Sequence, residues 1–138
     1  MALPVESSRG CWWGAKHYCV NCGIRDEDLA DRSRGPAAVL HSLDELNRRH
    51  GVRAFRFSDY ILPAAYYDSL LLELERRGAP YMLSGEIKAN VNADRFGRLV
   101  AASFAEVQPG IESLENEVPL RPTPGRCRPG TGRPTRLP

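Results

Sequence analysis

Along this chain the apolar positions alternate between a spacing of three to four residues and a spacing of two, and the changes come in a regular order. Val39, Leu40, Leu43 and Leu46 recur at helical spacing after Pro36, with Gly51 behind them. A proline in the first turn and a glycine just past the end are common helix boundaries. A strand is expected over Val52–Phe57, then a helix over Ala64–Arg77 with Tyr67, Leu70, Leu71 and Leu74 on one stripe and Gly78 closing it. Next come a strand over Tyr81–Lys88, a helix over Ala93–Ser103 with Phe96, Leu99 and Val100 inward, and a strand over Ala105–Ile111. Leu3–Ser7, extended around Pro4, is read as the first strand. Strand–helix alternation at this pitch implies parallel strands joined by right-handed crossovers, an α/β fold.

The last two strands predict more than their own existence. By the two-residue period of a strand, Ser84, Glu86 and Lys88 share one face and Leu83 and Ile87 the other; Glu106, Gln108 and Glu112 lie opposite Val107 and Ile111. A parallel sheet between two helical layers is apolar on both faces. One polar face implies strands curving around a polar lumen with helices only outside, as in a partial (β/α) barrel of four strands. Candidate chemistry then gathers at one edge. Cys11, Cys19 and Cys22 follow the first strand, Asp59 the second, Glu86 and Lys88 end the third, and Glu112 and Ser113 follow the fourth. Ligands bind at the carboxyl ends of strands in barrels and in open parallel sheets.

After Leu114 the pattern stops. Residues 119–138 hold six prolines, five arginines and three glycines with no acidic residue. Residues 1–114 are therefore read as the folded unit and 115–138 as a disordered tail, of the kind a frameshifted gene end would produce. The formal charge of +2 belongs to that tail, and residues 1–118 alone carry a net −3. This excludes a nucleic-acid-binding face on the folded part, which needs Lys and Arg gathered on an ordered element. Apolar runs fall far short of the roughly 20 residues that span a bilayer, so no membrane partner is expected and the protein is read as cytoplasmic.

Chemistry is densest in the loop at residues 10–23, where Cys11-x7-Cys19-x2-Cys22 stands with Trp12, Trp13, Lys16 and His17. Clustered cysteines suit a metal or redox site in a reducing compartment better than a disulfide framework. Three thiolates leave one iron of a cubane [4Fe–4S] cluster open, whereas a structural zinc site is closed by four ligands, which His17 or Cys127 would have to complete. A thiol redox pair, Cys19 with Cys22, is a third reading, disfavoured because no clear helix follows to lower a thiolate pKa.

The stretch Glu6-Ser-Ser-Arg-Gly-Cys-Trp-Trp-Gly-Ala-Lys-His-Tyr-Cys-Val-Asn-Cys-Gly23, with Glu86-Ile-Lys-Ala-Asn90 and Gln108-Pro-Gly-Ile-Glu-Ser-Leu114, resembles the radical S-adenosylmethionine (SAM) superfamily. It is most similar to the members that mature ribosomally made peptides, among them C-methyltransferases. The resemblance covers roughly residues 3–114 and implies a partial barrel of the radical SAM type, present as its first four strands. It implies a [4Fe–4S] cluster on Cys11, Cys19 and Cys22. The open iron would take SAM, with Asp59, Glu86, Lys88, Glu112 and Ser113 near that cofactor or the substrate. Where relatives place an aromatic residue near the adenine, this chain has Asn21. The implied reaction is reductive cleavage of SAM to a 5′-deoxyadenosyl radical that abstracts hydrogen from a precursor peptide, with a flavodoxin or ferredoxin as electron donor. Relatives commonly carry a cobalamin domain ahead of the barrel, and none precedes Leu3 in this sequence. An inactive or partner-binding truncated fragment with a zinc or iron–sulfur site is the competing expectation.

Overall fold

The computed structural model describes residues 1–16 and 30–111. In chain order the elements are β1 (Leu3–Val5), β2 (Ser8–Arg9), β3 (Arg32–Ser33), α1 (Pro36–His50), β4 (Ala54–Phe57), a 3-10 turn (Ala64–Asp68), α2 (Leu70–Arg76), β5 (Met82–Lys88), α3 (Ala93–Ala101) and β6 (Phe104–Gly110). Strands β1, β4, β5 and β6 form one four-stranded sheet in that order, every neighbouring pair parallel. Strands β2 and β3 pair antiparallel as a separate two-stranded ribbon.

Local chemistry sets the helix ends. Pro36 opens α1, and Gly51 closes it at φ 65° while its N–H reaches the Asn47 carbonyl at 2.7 Å. A residue with a β-carbon resists that left-handed geometry. The side chain of Asn92 caps α3 by accepting the Arg95 N–H at 2.9 Å.

Packing is one-sided. Val39, Leu40 and Leu43 of α1, Leu70, Leu71 and Leu74 of α2 and Leu99 of α3 join Val5, Phe55, Phe57, Leu83 and Ile87 of the sheet in a single buried cluster. Along β5 the residues alternate strictly, Leu83, Gly85 and Ile87 buried while Ser84, Glu86 and Lys88 are half-exposed. The strand register lines up Arg56, Ser84 and Glu106, then Glu86 with Gln108. The helices therefore cover the apolar face, and no described helix packs on the polar one.

Five expectations are corrected. The first strand stops at Val5, because Ser7 turns away to pair with Arg34, its carbonyl taking the Arg34 N–H at 2.9 Å. The second strand begins at Ala54, not Val52. The segment after Pro63 is not one helix: it breaks at Ser69 (φ −140°), whose hydroxyl bonds back to the Ala65 carbonyl at 2.6 Å. Serine hydroxyls compete with the helical ladder in this way. Lastly, Phe96 and Val100 are not inward but 49% and 60% exposed, since α3 turns only Leu99 into the core. Ile111, placed on the buried side of its strand, is also exposed. The expected tail and Leu114 lie outside the described residues.

Candidate functional site

Parallel strands carry their chain direction to a common edge, so the ends of β1, β4, β5 and β6 meet there in register, Val5 beside Phe57 and Lys88 beside Gly110. The loop bearing Cys11 rises from this edge. Cys11 is half-buried and makes no disulfide, and its Sγ accepts the Gly14 N–H at 3.2 Å while its carbonyl accepts the Ala15 N–H at 2.8 Å. A tight turn that aims an amide N–H at sulfur supplies the kind of hydrogen bond that tunes iron–sulfur centres. Cys11 thus fits a thiolate ligand. Cys19 and Cys22, the other expected ligands, lie outside the described residues, as do Glu112, Ser113, His17 and Cys127. Among the described residues, no three His, Cys, Asp or Glu side chains are grouped to hold a metal ion.

Trp12 and Trp13 dock the loop onto the sheet edge. The Trp12 indole N–H points to the Leu62 carbonyl at 3.4 Å, and the Leu62 N–H in turn donates to the Glu86 carbonyl at 2.8 Å. The two indoles meet edge to face at 6.1 Å between centroids. Lys88 reaches them from the end of β5, its Nζ 2.9 Å from the Trp13 ring centroid and 5.4 Å from that of Trp12. An ammonium held over indole faces is attracted by their quadrupoles, the more strongly where water is excluded. Of the expected site residues, then, Lys88 is brought directly to the cysteine loop.

Asp59 joins the same assembly by another route. It is buried, and one carboxylate oxygen accepts the Ser7 N–H at 2.8 Å and the Ser8 N–H at 2.9 Å. The second oxygen takes the Ser7 hydroxyl in a short hydrogen bond. Its lone pairs thus serve the chain that enters the loop. Glu86, on the polar face, makes no side-chain hydrogen bond or ion pair with any described residue.

No family model, no curated protein and no solved structure matches this chain. The site must therefore be read from its own geometry and from the sequence pattern.

That geometry adds residues the sequence did not single out: Ser7, Ser8, Arg34 and Tyr66. Tyr66 is almost wholly buried, with its hydroxyl 3.0 Å from the Ser7 carbonyl and 2.7 Å from the Arg34 carbonyl. Burial is the largest influence on its phenol and pushes its pKa up, so the hydroxyl stays protonated and able to donate. Tyr66 lies beside the expected stripe of Tyr67, Leu70, Leu71 and Leu74, so the spacing gave it no role, and only the position of Ser7 and Ser8 just ahead of Gly10 hinted at a turn needing buried partners. No described helix is long and apolar enough to cross a membrane.

Proposed function

We propose that this chain is a radical SAM iron–sulfur protein that modifies a ribosomally synthesised peptide. The observation that carries the reading is the placing of Cys11, with a backbone N–H on its sulfur, at the carboxyl edge of an open parallel sheet whose inner face is polar. The four parallel strands correspond in this reading to one side of a (β/α) barrel, with the uncovered polar face as its lumen.

Cys11, Cys19 and Cys22 would hold a [4Fe–4S] cluster. When bound, that cluster supplies the electron for reductive cleavage of SAM. The chain's own residues divide the remaining work. Asp59 fixes the entry to the loop through Ser7 and Ser8, and Lys88 fixes its tryptophans. Glu86, whose side chain makes no hydrogen bond or ion pair with a described residue, is the carboxylate best able to receive the ammonium group of SAM or a basic group of the peptide. Trp12 and Trp13 would shield the cluster from water. The expected electron donor is a flavodoxin or ferredoxin, and the expected partner a short precursor peptide.

Anaerobic iron–sulfur reconstitution tests this reading. About four irons per chain and a brown chromophore are expected. Cys11→Ala, Cys19→Ala and Cys22→Ala should each abolish both, and Cys127→Ala neither. The reconstituted protein under dithionite should release 5′-deoxyadenosine. A colourless protein carrying one zinc, or loss of the chromophore in the Cys127 variant, would overturn the open three-thiolate centre.

A further inference from the structure

The ends of the cysteine loop are tied together by a built neck. Ser8–Arg9 pairs antiparallel with Arg32–Ser33, Ser8 opposite Ser33 and Arg9 opposite Arg32. Above this ribbon Gly10 adopts φ 83°, and a β-carbon there would stand 2.3 Å from the Ala30 carbonyl oxygen, so the two chains touch backbone to backbone. Below it the Arg34 N–H donates to the Ser7 carbonyl at 2.9 Å. Two buried side chains close the arrangement from the sheet: Asp59 grips Ser7 and Ser8, and the Tyr66 hydroxyl lies between one carbonyl from each end of the loop, those of Ser7 and Arg34. Cys11 is the first residue beyond the neck, and Cys19 and Cys22 follow before the chain returns at Ala30.

We propose that Tyr66 is a positioning residue for this loop: its hydroxyl, shared between the Ser7 and Arg34 carbonyls, holds the neck shut so that the thiolates are presented together to one metal centre. The proposal rests on the thiolate-centre reading above. A loop whose ends are already joined has lost much of its chain entropy before a metal arrives, and it binds more tightly than an open one. Tyr66 differs here from its neighbour Tyr67, which is also buried but whose hydroxyl makes no hydrogen bond to a described residue. Tyr67 is therefore a control for the loss of a buried phenol as such.

The test is an anaerobic titration of the reduced full-length chain with Co²⁺, following the thiolate-to-cobalt charge-transfer absorption, together with amide hydrogen exchange of the metal-free protein. Tyr66→Phe is expected to weaken Co²⁺ binding about tenfold, the worth of one buried hydrogen bond. Exchange at Ser8–Gly10 and Arg32–Arg34 should quicken in this variant while Met82–Lys88 is unchanged. Tyr67→Phe should alter neither. Equal Co²⁺ affinity in wild type and Tyr66→Phe, or an equal loss in Tyr67→Phe, overturns the proposal. Absence of a thiolate–cobalt band in the wild-type protein overturns it together with the thiolate centre. If the Co²⁺ results are as expected but reconstitution yields no SAM cleavage, only the radical SAM reading falls and the neck stands.

Discussion

Ser7 and Ser8 are adjacent, alike in side chain and both buried, yet they carry opposite expectations. Ser7 gives both its N–H and its hydroxyl to Asp59. Ser7→Ala removes a hydrogen bond to a charged group and should cost about 1.5–3 kcal/mol. The Ser8 hydroxyl has no hydrogen-bond partner among the described residues, so Ser8→Ala should lie within about 0.5 kcal/mol of wild type, or be slightly stabilising. Urea denaturation followed by circular dichroism ranks the two, and equal losses would mean that the Ser8 hydroxyl is engaged after all. Only half of this pairing was legible in the sequence. An acid just after a strand marks a sheet edge, which singles out Asp59. Its partners lie 51 and 52 positions away, however, and no local pattern encodes a contact at that separation.

A second residue carries a pH dependence. Burial first, and then its hydrogen bond to Asp44, pushes Tyr81 from an ordinary 10.0 up to about 12. The folded state thus holds the phenolic proton more tightly than the unfolded chain does. Its contribution to stability is complete below pH 10 and is lost as the pH rises to about 12. Tyr81→Phe should make the alkaline arm of a stability–pH curve shallower, leaving what Tyr66 and Tyr67, also raised by burial, contribute. Thermal melts at stepped alkaline pH would show it, and parallel curves for variant and wild type would count against the assignment.

At the scale of the element, two glycines separate close packing from simple lack of a side chain. Phe57 of β4 and Phe104 of β6 stack across β5 with centroids 5.9 Å apart. They do so over Gly85, where a β-carbon would sit 3.2 Å from Phe57 Cβ and 3.8 Å from Phe104 Cε1. Gly85→Ala should overpack that spot and cost about 1–3 kcal/mol. Gly97, inside α3, has no atom within 4 Å of such a carbon, so Gly97→Ala should stabilise by about 0.5–1 kcal/mol through helix propensity and unfolded-chain entropy. Differential scanning calorimetry of both variants should move the melting temperature in opposite directions; a shared sign would refute the packing argument. The long elements were legible because several turns or several alternations repeat the same signal. The ribbon of β2 and β3 was not, since two residues per strand show no period. Phe96 and Val100 misled for a related reason: apolar residues at helical spacing mark a face, but they do not say whether anything packs on it.

Over the whole molecule the sheet has two faces with different tasks. Parallel sheets in folded domains are almost always covered on both sides. Here the described helices cover one side, while Ser84, Glu86, Lys88, Glu106 and Gln108 line the other. A carboxylate at Glu86 with no hydrogen bond or ion pair from a described residue does little for the fold, and in this arrangement it is available to a cationic group. Stability and ligand binding should therefore separate at this position. Glu86→Gln keeps the shape and removes the charge, so its urea midpoint should match that of wild type, while SAM binding to the reconstituted protein should weaken about tenfold or more, as loss of a charge-assisted contact implies. Equilibrium dialysis with labelled SAM measures the second quantity and chemical denaturation the first. A variant that loses stability but keeps its affinity would place Glu86 with the structural residues and leave the polar face without its proposed anchor.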